Sequence, residues 1–308
     1  MQSPVFSIGT RGSPLALAQA EEVRRRIADR GLATMDDIAI RAIRTTGDRI
    51  VDRPLAEAGG KGLFTKEIDE ALLAGEVDLA VHSAKDMPTR LPDGMVIAAC
   101  LPRSDVRDAF LSPKAGGFTG LPQGAVVGTS SLRRAALALR LRPDLTIVNL
   151  RGNVETRLRK LAEGVADATL LAAAGLARLG LSAHATSFLD ADAWLPAVGQ
   201  GVIAIVARSD DAVTLRRLAG ISHRETASAL AAERAYLAVL DGSCRTPIGG
   251  LARIAGGELV FRGIIVTPDG RTAHETGRRG PVAEAERIGA EAGADLARRG
   301  GPDFFKAH

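Results

Sequence analysis

The stretch DLAVHSAKDMP, residues 78–88, decides how the rest of the chain is interpreted. Residues 79–81 form a short apolar run between polar residues, as expected of a buried strand in a parallel sheet. Polar residues follow this run, and Pro88 prevents regular strand pairing from continuing. Binding and chemistry in open α/β sheets gather just beyond the carboxyl ends of strands. We therefore expect Lys85 and Asp86 at such an end, as a cation beside a carboxylate that can exchange a proton. A surface ion pair that closes a loop is the alternative.

The composition is that of an ordinary globular protein. The chain has 308 residues, of which 46% are hydrophobic and 25% charged, and this length suggests two or three domains. No apolar run approaches the ~20 residues of a membrane span, and no signal peptide is recognisable, so we expect a cytoplasmic protein. Two cysteines are too few for a disulfide framework, and no CxxC, HExxH or histidine cluster predicts a metal site.

Basic residues are concentrated in one segment, although the net charge is only +4. Between residues 133 and 160 there are eight basic residues against two acidic ones, a local balance of +6. Such a segment suggests an anionic partner. Single-stranded nucleic acid is disfavoured because its bases stack on aromatic side chains, which make up only 3% of the chain. No zinc-finger or RNA-recognition signature is present either, so a small polyanion fits better.

Two strand–turn–helix units place similar groups at similar positions. Residues 5–14 predict a strand and a polar turn, with Ser13 as the N-cap of the following helix. Residues 125–131 repeat this layout before a helix that carries Arg133 and Arg134. The free N–H groups of a helix N-terminus bind anions, and an arginine strengthens such a site. We expect two α/β domains that each present an anion-binding helix start to a shared cleft.

The remaining segments predict three domains. Further strands are expected at residues 38–43, 77–81, 96–100, 146–150, 168–172, 202–206, 251–255 and 259–266, and further helices at 65–74, 226–240 and 282–299. The chain crosses between domains near residues 101–107 and 196–202. The expected division is a first lobe of residues 1–101 and 202–220, a second lobe of residues 102–201, and a small α+β domain of residues 221–308.

The two cysteines have different surroundings. Cys100 ends an apolar strand and is expected to be an inert buried thiol. Cys244 follows a helix in a polar loop beside Arg245, and a neighbouring cation lowers a thiol pKa and favours the nucleophilic thiolate. The upstream helix C-terminus opposes that shift. A lone exposed cysteine is more often incidental, so the loop by itself leaves the role of Cys244 open.

Eight motifs occur in order along nearly the whole chain: IGTRGSPLALAQA, GGKGLFTKEID, AVHSAKDMPT, VGTSSLRRAA, LRGNVETRLRKL, LLAAAGLARLG, LPAVGQG and GSCRTPIGG. Together they closely resemble the porphobilinogen deaminase family. The resemblance implies an α/β fold with two doubly wound lobes like those of type II periplasmic binding proteins and a small α+β C-terminal domain. It also implies an enzyme that condenses four porphobilinogen molecules head to tail onto a dipyrromethane cofactor. Four ammonia molecules are released, and hydrolysis then frees the linear tetrapyrrole.

The motif matches also imply roles for individual residues. Cys244 would carry the dipyrromethane cofactor through a thioether. The residues that would hold this cofactor are Lys85, Thr129, Ser130, Ser131, Arg133 and Arg134. Those that would hold the incoming ring and the growing chain are Arg11, Ser13, Lys61, Arg151, Arg157, Arg178 and Gln200. Each pyrrole carries an acetate and a propionate, so the growing chain is a polyanion suited to arginine forks and helix N-termini.

Asp86 matches the catalytic aspartate of the family. Porphobilinogen loses ammonia to form a cationic azafulvene, and a proton later leaves the new ring junction. A nearby carboxylate can stabilise the cation and assist the proton transfers. Surrounding cations should keep Asp86 ionised for the first task.

Two positions depart from the family pattern. Glu57 lies where relatives often carry a lysine, so no cationic role is assigned to it. Ser243-Cys244-Arg245 replaces the more usual Gly-Cys-Gln and keeps the cysteine.

Two other functions are alternatives. If the chain were a non-catalytic protein that binds anionic solutes, we would expect a signal peptide and no role for Cys244. A nucleic-acid-binding module predicts salt-sensitive binding to polynucleotides that survives loss of Cys244. The resemblance favours an enzyme whose partners are porphobilinogen and the growing chain, with no nucleic acid, membrane or metal, and a monomeric state.

Overall fold

Three β-sheets form in the part of the chain that the computed structural model describes, which is residues 6–49, 62–240 and 246–306. These residues divide into two units. The first contains residues 6–49, 62–104 and 201–227, and the second contains residues 105–200, 228–240 and 246–306. None of the described helices is long and apolar enough to span a membrane.

The elements follow one another in a mixed α/β order. The first half of the chain contains β1 (Phe6–Arg11), α1 (Pro14–Asp29), β2 (Ile38–Ile43), α2 (Thr46–Arg49), α3 (Lys66–Leu73), β3 (Leu79–Ser83), β4 (Met95–Cys100), β5 (Asp108–Leu111), β6 (Val126–Gly128), α4 (Leu132–Leu141) and β7 (Thr146–Val148). The second half contains α5 (Val154–Ala162), β8 (Ala168–Ala172), α6 (Ala173–Arg178), β9 (Ser187–Phe188), β10 (Ile203–Arg208), α7 (Ala212–Ala219), α8 (Arg224–Val239), β11 (Ile248–Ala255), β12 (Glu258–Val266), β13 (Ala273–Pro281) and α9 (Ala285–Gly300).

The first unit contains a sheet with the order β2-β1-β3-β10-β4. Strand β1 runs parallel to both β2 and β3, whereas β10 runs antiparallel to β3 and β4. Helix α1 covers this sheet because Val23 and Ile27, one helical turn apart, are fully buried with Phe6 and Ile8 of β1. The side chain of Ser13 accepts a hydrogen bond from the amide of Ala16, which confirms the predicted helix start.

The second unit contains a sheet with the order β7-β6-β8-β5-β9. Strand β6 runs parallel to β7 and β8, and β5 runs antiparallel to β8 and β9. This sheet therefore has the same sequence of strand directions as the first one. The similarity of the two predicted strand–turn–helix units extends to the whole of each sheet.

A small antiparallel sheet, β11-β12-β13, completes the second unit. Tyr236 of α8, Phe261 of β12 and Ile288 of α9 share one hydrophobic core. The two helices approach closely because a Cβ atom at Gly289 would overlap the backbone carbonyl oxygen of Ala232. Together the three sheets and their helices confirm the predicted fold class, two α/β lobes with a small α+β C-terminal domain.

Candidate functional site

The first group of candidate residues follows two neighbouring parallel strands. Arg11 is the last residue of β1, and Lys85 and Asp86 lie in a short turn of 3-10 helix directly after β3. Strands β1 and β3 pair in parallel, with Ile8 opposite Leu79, so their carboxyl ends lie at the same edge of the sheet. The structure therefore places these three residues where an open α/β sheet concentrates its chemistry.

A small pocket opens at this edge. Arg11, Ser13 and Asp86 all line it, so three residues identified from the sequence share one cavity. The pocket combines a cation, a helix N-cap hydroxyl and a carboxylate within one unit. Such a set can hold an anionic group and place a base beside it.

Three further pocket residues were not identified from the sequence. The guanidinium of Arg11 lies 4.3 Å from the ring centroid of Phe64, which orients the plane of that cation. The side-chain amide of Gln19 donates to the hydroxyl of Ser83 at 2.8 Å. Gln19 is 3% exposed and lies on the buried face of α1.

A buried His–Asp pair lies at the same pocket. His82 lines it, and its Nε2 atom is 3.8 Å from a carboxylate oxygen of Asp69. This Nε2 atom has no hydrogen-bond partner among the residues that the structure describes. Burial, helped by the charges of Glu67 and Glu70, raises the pKa of Asp69 to about 6. Burial and the Arg11 cation lower the pKa of His82 to about 4. At neutral pH, His82 is therefore a neutral imidazole and Asp69 an anion.

The second group of candidate residues follows the parallel strands of the second unit. Thr129, Ser130 and Ser131 come directly after β6. Ser131 is the N-cap of α4 and its hydroxyl accepts a hydrogen bond from the amide of Arg134, while its own amide donates to Thr129 Oγ1 at 3.1 Å.

Three more arginines of this group lie after the next strands. Arg151 follows β7, and Arg157 lies in the first turns of α5. The Nε atom of Arg157 donates to the carbonyl oxygen of Gly152 at 2.8 Å. Arg178 is the last residue of α6, which follows β8 directly. All three side chains are half-buried.

Arg133 and Arg134 are buried around an aspartate that the sequence did not reveal. Their NH2 atoms donate to opposite carboxylate oxygens of Asp108, each at 2.7 Å. The same carboxylate accepts from Nε1 of Trp194 at 2.9 Å and from the side-chain amide of Gln200 at 2.8 Å. Burial opposes ionisation of Asp108, but the two guanidinium charges outweigh it and hold its pKa well below its usual range.

The Arg133–Asp108–Arg134 cluster carries one excess positive charge. Its three side chains are at most 6% exposed, and the buried Nε atoms of both arginines have no hydrogen-bond partner in the described part of the chain. A buried positive charge with unused N–H donors is costly unless an anion completes it. The cluster therefore suits a carboxylate.

Two of the candidate residues, Cys244 and Lys61, lie outside the described residues, as do Glu57 and Arg245. Cys100 is 1% exposed and buried, as expected. Within the described ranges, no group of three or more His, Cys, Asp or Glu side chains could hold a metal ion.

Some solved structures are remotely similar to this chain. A putative methionine-binding lipoprotein from Bacillus subtilis aligns with a TM-score of 0.44 at 12% identity, over 71% of this chain and 90% of its own. A nutrient binding protein from Burkholderia cenocepacia, bound to methionine, aligns with a TM-score of 0.44 at 16% identity, over 70% of this chain and 90% of its own. Neither likeness carries an argument about ligands.

Comparisons with protein families and curated proteins are far closer. Residues 6–216 match the family model "Porphobilinogen deaminase, dipyromethane cofactor binding domain", and residues 227–298 match "Porphobilinogen deaminase, C-terminal domain". Porphobilinogen deaminase from Nitrobacter winogradskyi is 59% identical over 97% of this chain and 95% of its own. Porphobilinogen deaminase from Paracoccus denitrificans is 55% identical over 99% of this chain and 97% of its own. The chain belongs to the porphobilinogen deaminase family.

Proposed function

We propose that this protein is a hydroxymethylbilane synthase, a transferase of tetrapyrrole biosynthesis. It condenses four porphobilinogen molecules head to tail, releases four ammonia molecules, and frees the linear tetrapyrrole by hydrolysis. Family membership over nearly the full chain supports the reaction. The structural observation that carries the proposal is the pocket in which Asp86 lies together with Arg11 and Ser13.

The pocket residues have different roles toward porphobilinogen. Arg11 and the helix start at Ser13 bind a carboxylate of the incoming ring, since both offer donors to an anion. Asp86 stabilises the positive charge that develops when ammonia leaves the ring, and it accepts or returns protons as the new bond forms. The carboxylates of the growing chain are held by Arg151, Arg157, Arg178, Gln200 and Lys61.

The dipyrromethane cofactor supplies the pyrrole carbon to which the first ring is added. Cys244 would attach this cofactor through a thioether. The residues that would hold it are Lys85, Thr129, Ser130, Ser131, Arg133 and Arg134. The residues present fit this group because its acetates and propionates are carboxylates. The excess positive charge of the Arg133–Asp108–Arg134 cluster, and its two Nε atoms without a partner among the described residues, support such an anion.

The wider organisation is part of the same proposal. The functional domains are residues 1–101 with 202–220, residues 102–201, and residues 221–308. The enzyme works as a monomer in the cytoplasm and binds no nucleic acid. A mass measurement in solution tests the monomeric state, and a polynucleotide-binding titration at low salt tests the absence of nucleic-acid binding.

The deciding experiment is the intact mass of the purified protein. The wild-type mass should exceed the sequence value by one dipyrromethane, and Cys244→Ser should remove this excess. Cys100→Ser is the matched control and should keep it, because that thiol is buried in the first unit. Adding porphobilinogen to the wild-type protein should then produce further ring-sized mass steps.

If the wild-type protein shows the unmodified mass, the measurement is repeated after incubation with porphobilinogen. If no adduct forms even then, the deaminase function is refuted. Binding of an anionic solute without chemistry would then be the function to test.

A further inference from the structure

Asp108 has a full set of partners in the interior of the second unit. Each of its two carboxylate oxygens accepts two hydrogen bonds, one from an arginine and one from a neutral donor. The residue is 1% exposed. A buried carboxylate so surrounded has a fixed position, because any rotation breaks charge-assisted hydrogen bonds.

The backbone explains how Asp108 reaches the two arginines. It is the first residue of β5, which runs antiparallel to β8, and it pairs with Ala172 at the carboxyl end of β8. It therefore lies at the edge of the sheet from which α4 starts. The same edge bears the predicted cofactor-binding residues that follow β6.

The hydrogen bonds of the two arginines leave a defined part of each guanidinium unused. Arg133 donates to Leu195 O and to Asp108, and Arg134 donates to Leu170 O and to Asp108. Both arginines are thus held by one backbone carbonyl and one carboxylate oxygen. In each guanidinium the Nε donor is buried and has no partner within residues 6–49, 62–240 and 246–306.

We propose that Asp108 is a positioning residue of the cofactor site. It fixes the positions of both guanidinium groups, and it cancels one of their two charges. The arginine pair then binds one carboxylate of the cofactor rather than two. This inference rests on the proposed function, and it adds a residue that none of the recognised sequence motifs contains.

The test compares Asp108→Glu with Asp144→Glu. Asp108→Glu keeps the charge but moves the carboxylate by one methylene, which displaces both arginines. Asp144 is the matched control, because its carboxylate also accepts two hydrogen bonds from one arginine, Arg142, but on the surface of the same unit. Each protein is produced in a host that lacks porphobilinogen, and the gain of cofactor mass after its addition is followed per folded molecule.

Asp108→Glu should slow the gain of cofactor mass at least ~10-fold, because misplacement by about 1 Å is enough for such an effect. Asp144→Glu should load at the wild-type rate. A folded Asp108→Glu protein that loads as fast as wild type refutes the inference, since a purely structural role changes the unfolding midpoint and not the loading rate. A wild-type protein that never gains the mass refutes the proposed function, and this inference with it.

A second measurement does not depend on the folding of any variant. Trp194 is the single tryptophan of the chain, and its Nε1 atom donates to Asp108. An anion bound by the two arginines changes the electric field at this indole. The emission of the wild-type protein should therefore change in step with the gain of cofactor mass. A cofactor mass gained with unchanged Trp194 emission overturns the inference.

Discussion

Replacement of Asp69 by Asn should stabilise the protein at neutral pH. Asp69 is 6% exposed, and burial raises its pKa from 3.8 to about 6. A carboxyl group whose pKa is raised by folding favours the folded state below its unfolded pKa. That advantage is lost as the pH rises through the folded pKa. Ionisation of Asp69 in the folded protein therefore costs about 3 kcal/mol of folding free energy at pH 7.5. Asparagine has nearly the same size and never ionises, so it avoids this penalty.

The stability gained by Asp69→Asn should increase with pH. Because Asp69 is only partly ionised at pH 5 in the folded state, the gain from Asp69→Asn should be roughly 1–2 kcal/mol there and about 2–3 kcal/mol at pH 7.5. Urea unfolding curves at the two pH values measure this difference. The other charged groups around the carboxylate are Glu67, Glu70 and, if protonated, His82, and all remain in the variant.

Asp144→Asn is the control, because folding lowers the pKa of Asp144 whereas it raises that of Asp69. Asp144 is exposed and the Arg142 guanidinium beside it lowers its pKa, so its contribution is present above its usual pKa and is lost as the pH falls. Asp144→Asn should therefore give no gain at pH 7.5. The reasoning about Asp69 is refuted if Asp69→Asn lowers stability at pH 7.5, or raises it equally at both pH values.

Two further substitutions test the site and the packing. Asp86→Asn should keep the unfolding midpoint but lose most turnover, because an amide neither stabilises the cation nor accepts the proton, whereas Asp86→Glu should retain some activity. Near-wild-type product formation by Asp86→Asn excludes the assignment. Gly289→Ala should lower the free energy of unfolding by about 1–3 kcal/mol, since its Cβ would overlap the Ala232 carbonyl oxygen. At Gly116 no atom of the described residues beyond the two chain neighbours lies within 4 Å of an added Cβ, so Gly116→Ala should lie within about 0.5 kcal/mol of wild type. Equal effects of the two substitutions would contradict the predicted overlap at Gly289.

The strands and helices that were predicted well from the sequence are marked by local sequence features. Ser13 and Pro14 mark the start of α1, and the structure shows the expected cap. The apolar run before Lys85 is β3, and the turn that follows it places Lys85 and Asp86 at the strand end. Such features depend on neighbouring residues, so spacing alone is enough to find them.

The elements that the sequence missed depend on distant partners. Strand β5 has only four residues and β9 only two, too few for a periodic pattern. Strand β13 is largely polar and pairs with β12 on one side, so no apolar alternation marks it. The pocket side chains Gln19 and Phe64 are brought to Asp86 by the packing of α1 and of the segment before α3.

The two lobes use one strand order for two different purposes, and the fourth strand shows the difference. In the first sheet this strand is β10, which begins with the apolar Ile203 opposite Ser83 at the end of β3. In the second sheet it is β5, which begins with Asp108 opposite Ala172 at the end of β8. An aspartate at that position can pair with both arginines of the neighbouring helix start, whereas an apolar residue cannot. The same topology therefore yields a pocket with the partly exposed carboxylate of Asp86 in one lobe, and a buried cluster with one excess positive charge in the other.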